Sequence, residues 1–349
     1  MPFLSNGCGP FTPHGKSGSG GWPAGGAPSG QATSVPSGTC PTSTQTTTVS
    51  TGAGCATPSS GPGSPPASPV ASSGLQLVGF WQSWSDTTLP LSSVPGAVTT
   101  TDVAFSTATA NGTLAAVQNT NPLASGAAAI HANGGKVLIS FGGATGTGAY
   151  ANLDPNAFAQ DLAGLFAANP GVYDGVDFDD EQDPRNTQTL ISVIQATRAA
   201  MPNIIITYDA FSSAADAGTG ALAGRSDWQG VDIPLAAAIA QSINWVNVMD
   251  YDLGSWRPST NMSCTPSPGA SDDCYKDIIA EFAKIYPANK IVMGLMVPQD
   301  DGGAPMSASN VGAYAQWVKS SGYRGIMLWD LNRDTGFSAV NAAAAALGI

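Results

Sequence analysis

Charge is what this sequence has least of. Only 10% of its 349 residues are charged, 12 basic against 24 acidic, and the formal net charge is -12. A chain this poor in Lys and Arg repels polyanions, so neither a nucleic acid nor an anionic membrane surface is expected as a partner, and a neutral ligand is. Long apolar runs are missing too. None approaches the roughly 18 residues that a membrane span needs, and the opening MPFLSNGCGPFTPHGK has neither the basic start nor the apolar centre of a secretory signal. On this reading an export signal is either absent from the sequence or not used. Cysteine is sparse: Cys8, Cys40, Cys55, Cys264 and Cys274 form no C-x-x-C pair, so no metal is expected. No G-x-G-x-x-G follows the first strand candidate and no P-loop occurs, and no cofactor is expected.

What is abundant divides the chain in two. Residues 1–74 are Gly, Pro, Ser and Thr with Lys16 as the one charged residue, and they show neither helical nor strand periodicity. So few apolar groups cannot offset the entropy of ordering, and disorder is expected there. The stretch from Gln31 to Gly74 has the composition of an O-glycosylated stalk or linker. The piece before it, with Cys8, Phe11 and Trp22, has a small carbohydrate-binding remnant as its alternative reading. Sequons at Asn111 and Asn261 are compatible with secretion. Cys264 and Cys274 bracket CTPSPGASDDC and would clip that loop in an oxidising compartment, two free thiols being the alternative.

From Leu75 to residue 349, β-rich apolar runs alternate with Ala-rich stretches of helical length. Strands are predicted at 75–81, 100–106, 136–143, 173–181, 203–210, 243–252, 290–297 and 325–331. Helices are predicted in LASGAAAIHANG, PNAFAQDLAGLFAAN, TLISVIQATRAAM, CYKDIIAEFAKIY and SNVGAYAQWVKSSG. Eight strands in such alternation are the rhythm of an α/β fold closed as a (β/α)8 TIM barrel; a doubly wound open sheet is the alternative.

The fourth of these strands, YDGVDFDDE, gathers the carboxylates that the rest of the chain withholds. Asp177, Asp179 and Glu181 stand at i, i+2 and i+4, so a regular strand points all three the same way, with Glu181 nearest the mouth of the barrel. Asp174, Asp180 and Asp183 fall on the other face or in the turns. Carboxylates packed this closely cannot all ionise, and a carboxylic acid that keeps its proton is what cleavage of a glycosidic bond requires. A calcium loop or a solvated acidic turn is the bland alternative, disfavoured because Val176 and Phe178 alternate with the acids.

DGVDFDDE resembles the D-G-x-D-x-D-x-E signature of family 18 glycoside hydrolases, the chitinases and endo-β-N-acetylglucosaminidases, at every specified position. SFGG (Ser140, Gly142, Gly143) is similar to the family's S-x-G-G, MDYD (Met249, Tyr251, Asp252) to its M-x-Y-D, and Trp329 to the Trp that ends its last strand. The resemblance implies roles. Glu181 would be general acid and base, Asp179 would orient the substrate's 2-acetamido group, Asp177 would share a proton with Asp179, and Tyr251 would bond the acetamido oxygen. Asp252, Met249 and Gly143 would shape the subsite and Trp329 would floor it. Core filling is the alternative for Trp329 and Tyr251. Ser140, Gly142 and Gly143 are read as shaping the strand end more than as performing chemistry, the glycines by letting backbones approach.

The resemblance thus implies a secreted, monomeric endo-acting chitinase whose partner is chitin or another N-acetylglucosamine-containing glycan. An endo-β-N-acetylglucosaminidase is the nearest alternative, because Asp180 stands where chitinases often carry an aromatic or aliphatic residue. A chitin-binding lectin is the alternative of a different class. Trp81, Trp84 and Trp256 are expected either to line further sugar subsites or to anchor loops. Asp209 is a carboxylate without an assigned role, and His131 is expected at the surface.

Overall fold

The computed structural model describes residues 74–85, 88–107, 114, 123–144, 150, 153–181, 185–216, 229–253, 255–257, 262–298 and 306–349. Residues 1–73, with Cys8 and the Cys40 and Cys55 of the expected stalk, lie outside the described residues, as do both sequon asparagines and Asp183. So does the side chain of Trp256.

Eight parallel strands close a barrel. They are β1 (Gln76–Gln82), β2 (Thr100–Ser106), β3 (Lys136–Gly142), β4 (Gly175–Asp179), β5 (Ile205–Phe211), β6 (Trp245–Met249), β9 (Ile291–Met296) and β10 (Gly325–Trp329). Each pairs with its neighbour in chain order, and β10 returns to β1 with Gln76 opposite Gly325. All eight correspond to predicted strands. A two-stranded hairpin of β7 (Ser255–Arg257) and β8 (Met262–Ser263) was not foreseen. The predicted helices are α1 (Leu123–Ala132), α2 (Pro155–Ala168), α3 (Thr187–Ala200), α5 (Cys274–Phe282) and α6 (Ala308–Ser320); α4 (Asp232–Ile239) and α7 (Ser338–Leu347) are additional. α4 is a single short apolar stretch with no polar face for a sequence reading to find.

Local chemistry starts the helices where side chains can satisfy free N–H groups. Asp154 accepts from Asn156 and Ala157 at the head of α2, with Pro155 in the first turn. Asn186, Asp273 and Ser307 do the same for α3, α5 and α6. Barrel strands are buried on both faces, and they read as continuous apolar runs for that reason. One face of each strand packs under the helices, as Leu77, Val103, Ile139, Val176, Phe178 and Tyr208 do. The other face fills the barrel with Val78, Phe80, Ala104, Leu138, Trp245, Met249, Val292 and Met327. Each large apolar side chain removed from water there contributes about 1.5–3 kcal/mol, which offsets the polar groups buried in the same interior.

A disulfide joins Cys264 to Cys274, with Cα atoms 5.9 Å apart, and ties the chain after β8 to the first turn of α5. Among the described residues no helix is long and apolar enough to cross a membrane.

Candidate active site

The acids of β4 stand as alternation requires. Asp177 is fully buried and Asp179 is 3% exposed, both inside the barrel, and Glu181 follows at the C-terminal end of the strand, half-buried. Ser140 Oγ on β3 donates to Asp177 Oδ2 at 2.7 Å, and Thr207 Oγ1 on β5 donates to Oδ1 at 2.5 Å. These bonds favour a charged Asp177, although burial still raises its pKa. Asp179 is raised much further, by burial first and then by the negative charges of Glu181, Asp177, Asp180 and Asp102. Of the two, Asp179 is therefore the one that keeps a proton.

The acid tier is wider than the motif. Asp102 on β2 and Asp209 on β5 also face the interior, both are buried, and burial pushes both pKa values well up. Asp209 lies in register with Asp179 on one side and Asn247 on the other. Asp102 was missed by sequence reasoning, and a signal for it exists. It is the lone acid in TTDVAFS, at the parity of Ala104, which faces the barrel interior. Neither Asp102 oxygen has a hydrogen-bond partner.

A stability test follows from this tier. In the unfolded chain these carboxyls ionise near pH 4, whereas in the fold Asp102 stays protonated well above that. The native state then binds more protons than the unfolded one, and stability declines as pH rises from about 4 toward the folded pKa, by ~1.4 kcal/mol per pH unit for each such group. Asp102→Asn is expected to flatten that decline by about one proton's worth, and urea denaturation between pH 4 and 7 would read it. An unchanged slope would mean that Asp102 is ionised in the fold.

Glu181 stands apart because its pKa is raised only to about 7, by burial first and then by the charges of Asp252 and Asp180, while hydrogen bonds from the Ala144 N–H and Asp179 pull it down. A carboxyl poised near neutrality can give a proton and take one back. Only the protonated form can serve as acid, so kcat/KM is expected to fall about tenfold per pH unit above pH ~7. A flat profile from pH 6 to 9 would exclude Glu181 as the titrating acid.

The geometry of the strand ends explains why the tier is so dense. Gly142 adopts φ 122°, and a Cβ there would stand 1.9 Å from the carbonyl oxygen of Asp179. Gly143, at φ 81°, donates its N–H to the same oxygen at 3.0 Å, and a Cβ on it would meet the Phe105 ring at 2.6 Å. Of the two readings of Gly143, shaping the subsite or shaping the strand end, the geometry favours the second: it spends its N–H on the backbone of β4 and lets Phe105 close in, so its part is in the wall.

The remaining residues divide. Tyr251 sits beside the interior cluster, half-buried, and its hydroxyl is held protonated by burial and by the charges of Asp209, Asp179 and Glu181. Asp252 is exposed, in the left-handed region at φ 53°. Met249 faces inward and is 5% exposed. Trp329 faces inward, stacked on Phe105 with centroids 5.7 Å apart and edge-on to Phe80 at 5.4 Å. Phe105 stacks in turn on Trp84, 40% exposed, at 6.0 Å. Sequence reasoning missed Phe105, which joins these two tryptophans into one aromatic band.

Trp81, expected either to line a sugar subsite or to anchor a loop, is corrected as a subsite residue: it is 1% exposed, packs under the helices and donates its indole N–H to the Leu89 carbonyl at 2.7 Å, as a loop anchor does. Neighbours on a strand point oppositely, so Phe80 takes the inward place. His131 is half-buried rather than free at the surface, its Nε2 2.7 Å from Asp174 Oδ2.

The sequence profile described as "Glycosyl hydrolases family 18" matches residues 76–298, more than half of the chain and all of β1 through β9. The chain belongs to glycoside hydrolase family 18. It is thus a glycosidase of the chitinase-like family, with a glycan as substrate. Solved structures share its fold. A family 18 chitinase from Pseudoalteromonas aurantia is 24% identical with a TM-score of 0.60, the match covering 78% of this chain and 99% of that one. A class V chitinase from Nicotiana tobaccum is 15% identical at 0.61, covering 79% and 99%. A chitinase-like agglutinin from Robinia pseudoacacia is 19% identical at 0.59, covering 78% and 99%. At such identities the likeness carries the fold alone. No curated protein matches the chain in sequence.

Proposed function

We propose that this family 18 hydrolase is a secreted endo-chitinase that cuts β-1,4 bonds between N-acetylglucosamine units with retention of configuration. The observation that carries the reading is the vertical arrangement of the acids. Glu181 and Asp179 come from one face of one strand, with Asp179 3% exposed in the layer beneath. A glycosidase with an enzymic nucleophile needs its two carboxyls on opposite sides of the scissile bond, about 5–5.5 Å apart. A buried Asp179 stacked behind the acid suits another task, holding the acetamido group of the substrate while that group's own oxygen attacks.

In this mechanism Glu181 donates its proton to the glycosidic oxygen and the bond to C1 breaks as the acetamido oxygen bonds to C1. Asp179 faces the acetamido nitrogen and stabilises the oxazolinium charge, with Asp177 taking part in its proton sharing. Tyr251 donates a hydrogen bond to the acetamido oxygen, and Asp252 shapes the same pocket. Trp329 is the floor under the apolar face of the sugar, with Met249 beside it. Water then attacks C1, Glu181 takes its proton, and the ring of the intermediate reopens.

The band from Trp329 through Phe105 to Trp84 favours an extended chain of sugars over a short one. Trp84→Ala is expected to raise KM for the N-acetylglucosamine hexamer by about 2–10-fold, the worth of one stacking contact, and to leave the melting temperature unchanged. An unaltered KM would remove Trp84 from the subsites. Residues 1–74 would serve as a stalk, and the Cys264–Cys274 bond supports export to an oxidising compartment.

Asp180 favours a second reading, an endo-β-N-acetylglucosaminidase acting on the chitobiose core of N-glycans. Mass spectrometry separates the two. Shortened oligomers from N-acetylglucosamine chains support the chitinase, whereas glycan released from a high-mannose glycoprotein, with one N-acetylglucosamine left on the protein, supports the other. Binding to chitin with neither product would make the site a lectin's.

A further inference from the structure

Asp180 departs from the acids on either side of it. It is fully buried, yet its partners lie on the helix side of the barrel. Its Oδ2 is 3.2 Å from Nε of Arg185, whose side chain is only 4% exposed. The same guanidinium places Nη1 2.9 Å from Asp232 Oδ1 in the first turn of α4, donates from Nη2 to the Tyr208 hydroxyl on β5, and lies 5.3 Å over the Tyr208 ring. Tyr208 completes the circuit by donating to Asp232 at 2.9 Å. One buried cation thus joins the end of β4, β5, α4 and the approach to α3.

Glu181 sits inside this clamp. Before it, the Asp179 carbonyl is held by Gly143 N–H at 3.0 Å; after it, the chain reaches Arg185, which turns back onto Asp180. We propose that Arg185 is a positioning residue for Glu181: by binding Asp180 on the helix side, it fixes the backbone that aims Glu181 into the barrel mouth and keeps a negative charge next to it. The inference rests on the reading of Glu181 as the acid.

The groups facing Glu181 are Asp179 and Asp180 from β4, Tyr251 and Asp252 after β6, and the Ala144 N–H after β3. Those facing Asp180 are Arg185, Asp179 and Tyr150, and Tyr286 faces the Asp232 end of the network. Asp180 is held by the buried Arg185, and its charge disfavours ionisation of Glu181.

The test is the pH profile of kcat/KM for Asp180→Asn and Arg185→Met. The substrate is the N-acetylglucosamine tetramer or the high-mannose glycoprotein, whichever the wild type cleaves. Asp180→Asn removes a negative charge beside Glu181, so the alkaline limb should move to lower pH by about 0.5–1 unit. Arg185→Met should lower kcat by about 10–100-fold, the scale of a misaimed catalytic group, with KM within about twofold of the wild type. Adding Asp180→Asn to it should recover part of the loss, because the carboxylate left unpaired is then gone. Should Arg185→Met not fold, Asp180→Asn decides alone, since it keeps the side chain's size and leaves Arg185 bonded to Asp232. A folded Asp180→Asn with the wild-type limb and kcat within twofold overturns the proposal. Glu181→Gln, run as control, separates the two claims. If it is active, the reading of Glu181 falls; if it is inactive while Asp180→Asn is unchanged, only the role of Arg185 falls.

Discussion

Replacing Glu181 by Gln is expected to lower kcat by about 10²–10⁴-fold, the range that a general acid and base contributes. The amide has the shape of the protonated acid, so binding to chitin should survive. Glu181 is half-buried at the strand end, and its pKa is raised to about 7 by burial and by Asp252 and Asp180, which poises it to exchange a proton near neutrality. Burst and steady-state assays with an oligomer of N-acetylglucosamine would measure the loss, and a pull-down on chitin would measure the binding. Turnover at the wild-type rate would disprove the assignment.

Asp179→Asn carries the next largest effect, a fall in kcat of about 10²–10³-fold with KM nearly unchanged. The effect depends on where the proton sits. Asp177 accepts from both Ser140 and Thr207, which favours its anion, while Asp179 is pushed to the protonated form by burial and by the charges around it. In the resting enzyme an amide at 179 therefore mimics what is there, and the ground state is little disturbed. It has no negative charge to offer when the acetamido nitrogen becomes positive in the transition state. A loss of less than about threefold would point to a nucleophile other than the substrate's own acetamido oxygen.

The two experiments are linked through the interior of the barrel. Asp102 and Asp209 extend the tier on β2 and β5; Asp102 adds to the rise of the Asp179 pKa, and Asp179 in turn adds to that of Asp209. The pH slope of stability thus reports the electrostatic state in which the catalytic strand is held.

Much of this could be read one strand at a time. DGVDFDDE showed which three acids share a face because alternation along an extended chain needs no partner strand, and Val176 and Phe178 marked the opposite face as packed. Which face of β1 is interior cannot be read in the same way, and on sequence alone Trp81 stands between a sugar subsite and a loop anchor. It sits beside Phe80, and one residue of parity separates the barrel interior from the layer under the helices. For Gly143 the close approach of backbones was legible but its partners were not, since the Phe105 ring and the Asp179 carbonyl that define its surroundings arrive from other strands.

By itself the sequence determined the eight-strand rhythm, the family and the order of acids on β4, all of which are short-range patterns of residue type and spacing. Only the tertiary structure decided that Asp102 and Asp209 join that tier, that Phe105 bridges Trp329 to Trp84, and that Arg185 anchors Asp180. The physical reason lies in the closure of the barrel. Neighbouring strands are separated in the chain by long connections, most of them carrying a helix, so cross-strand register, and with it the field and packing around each side chain, is set by pairings that no local stretch records.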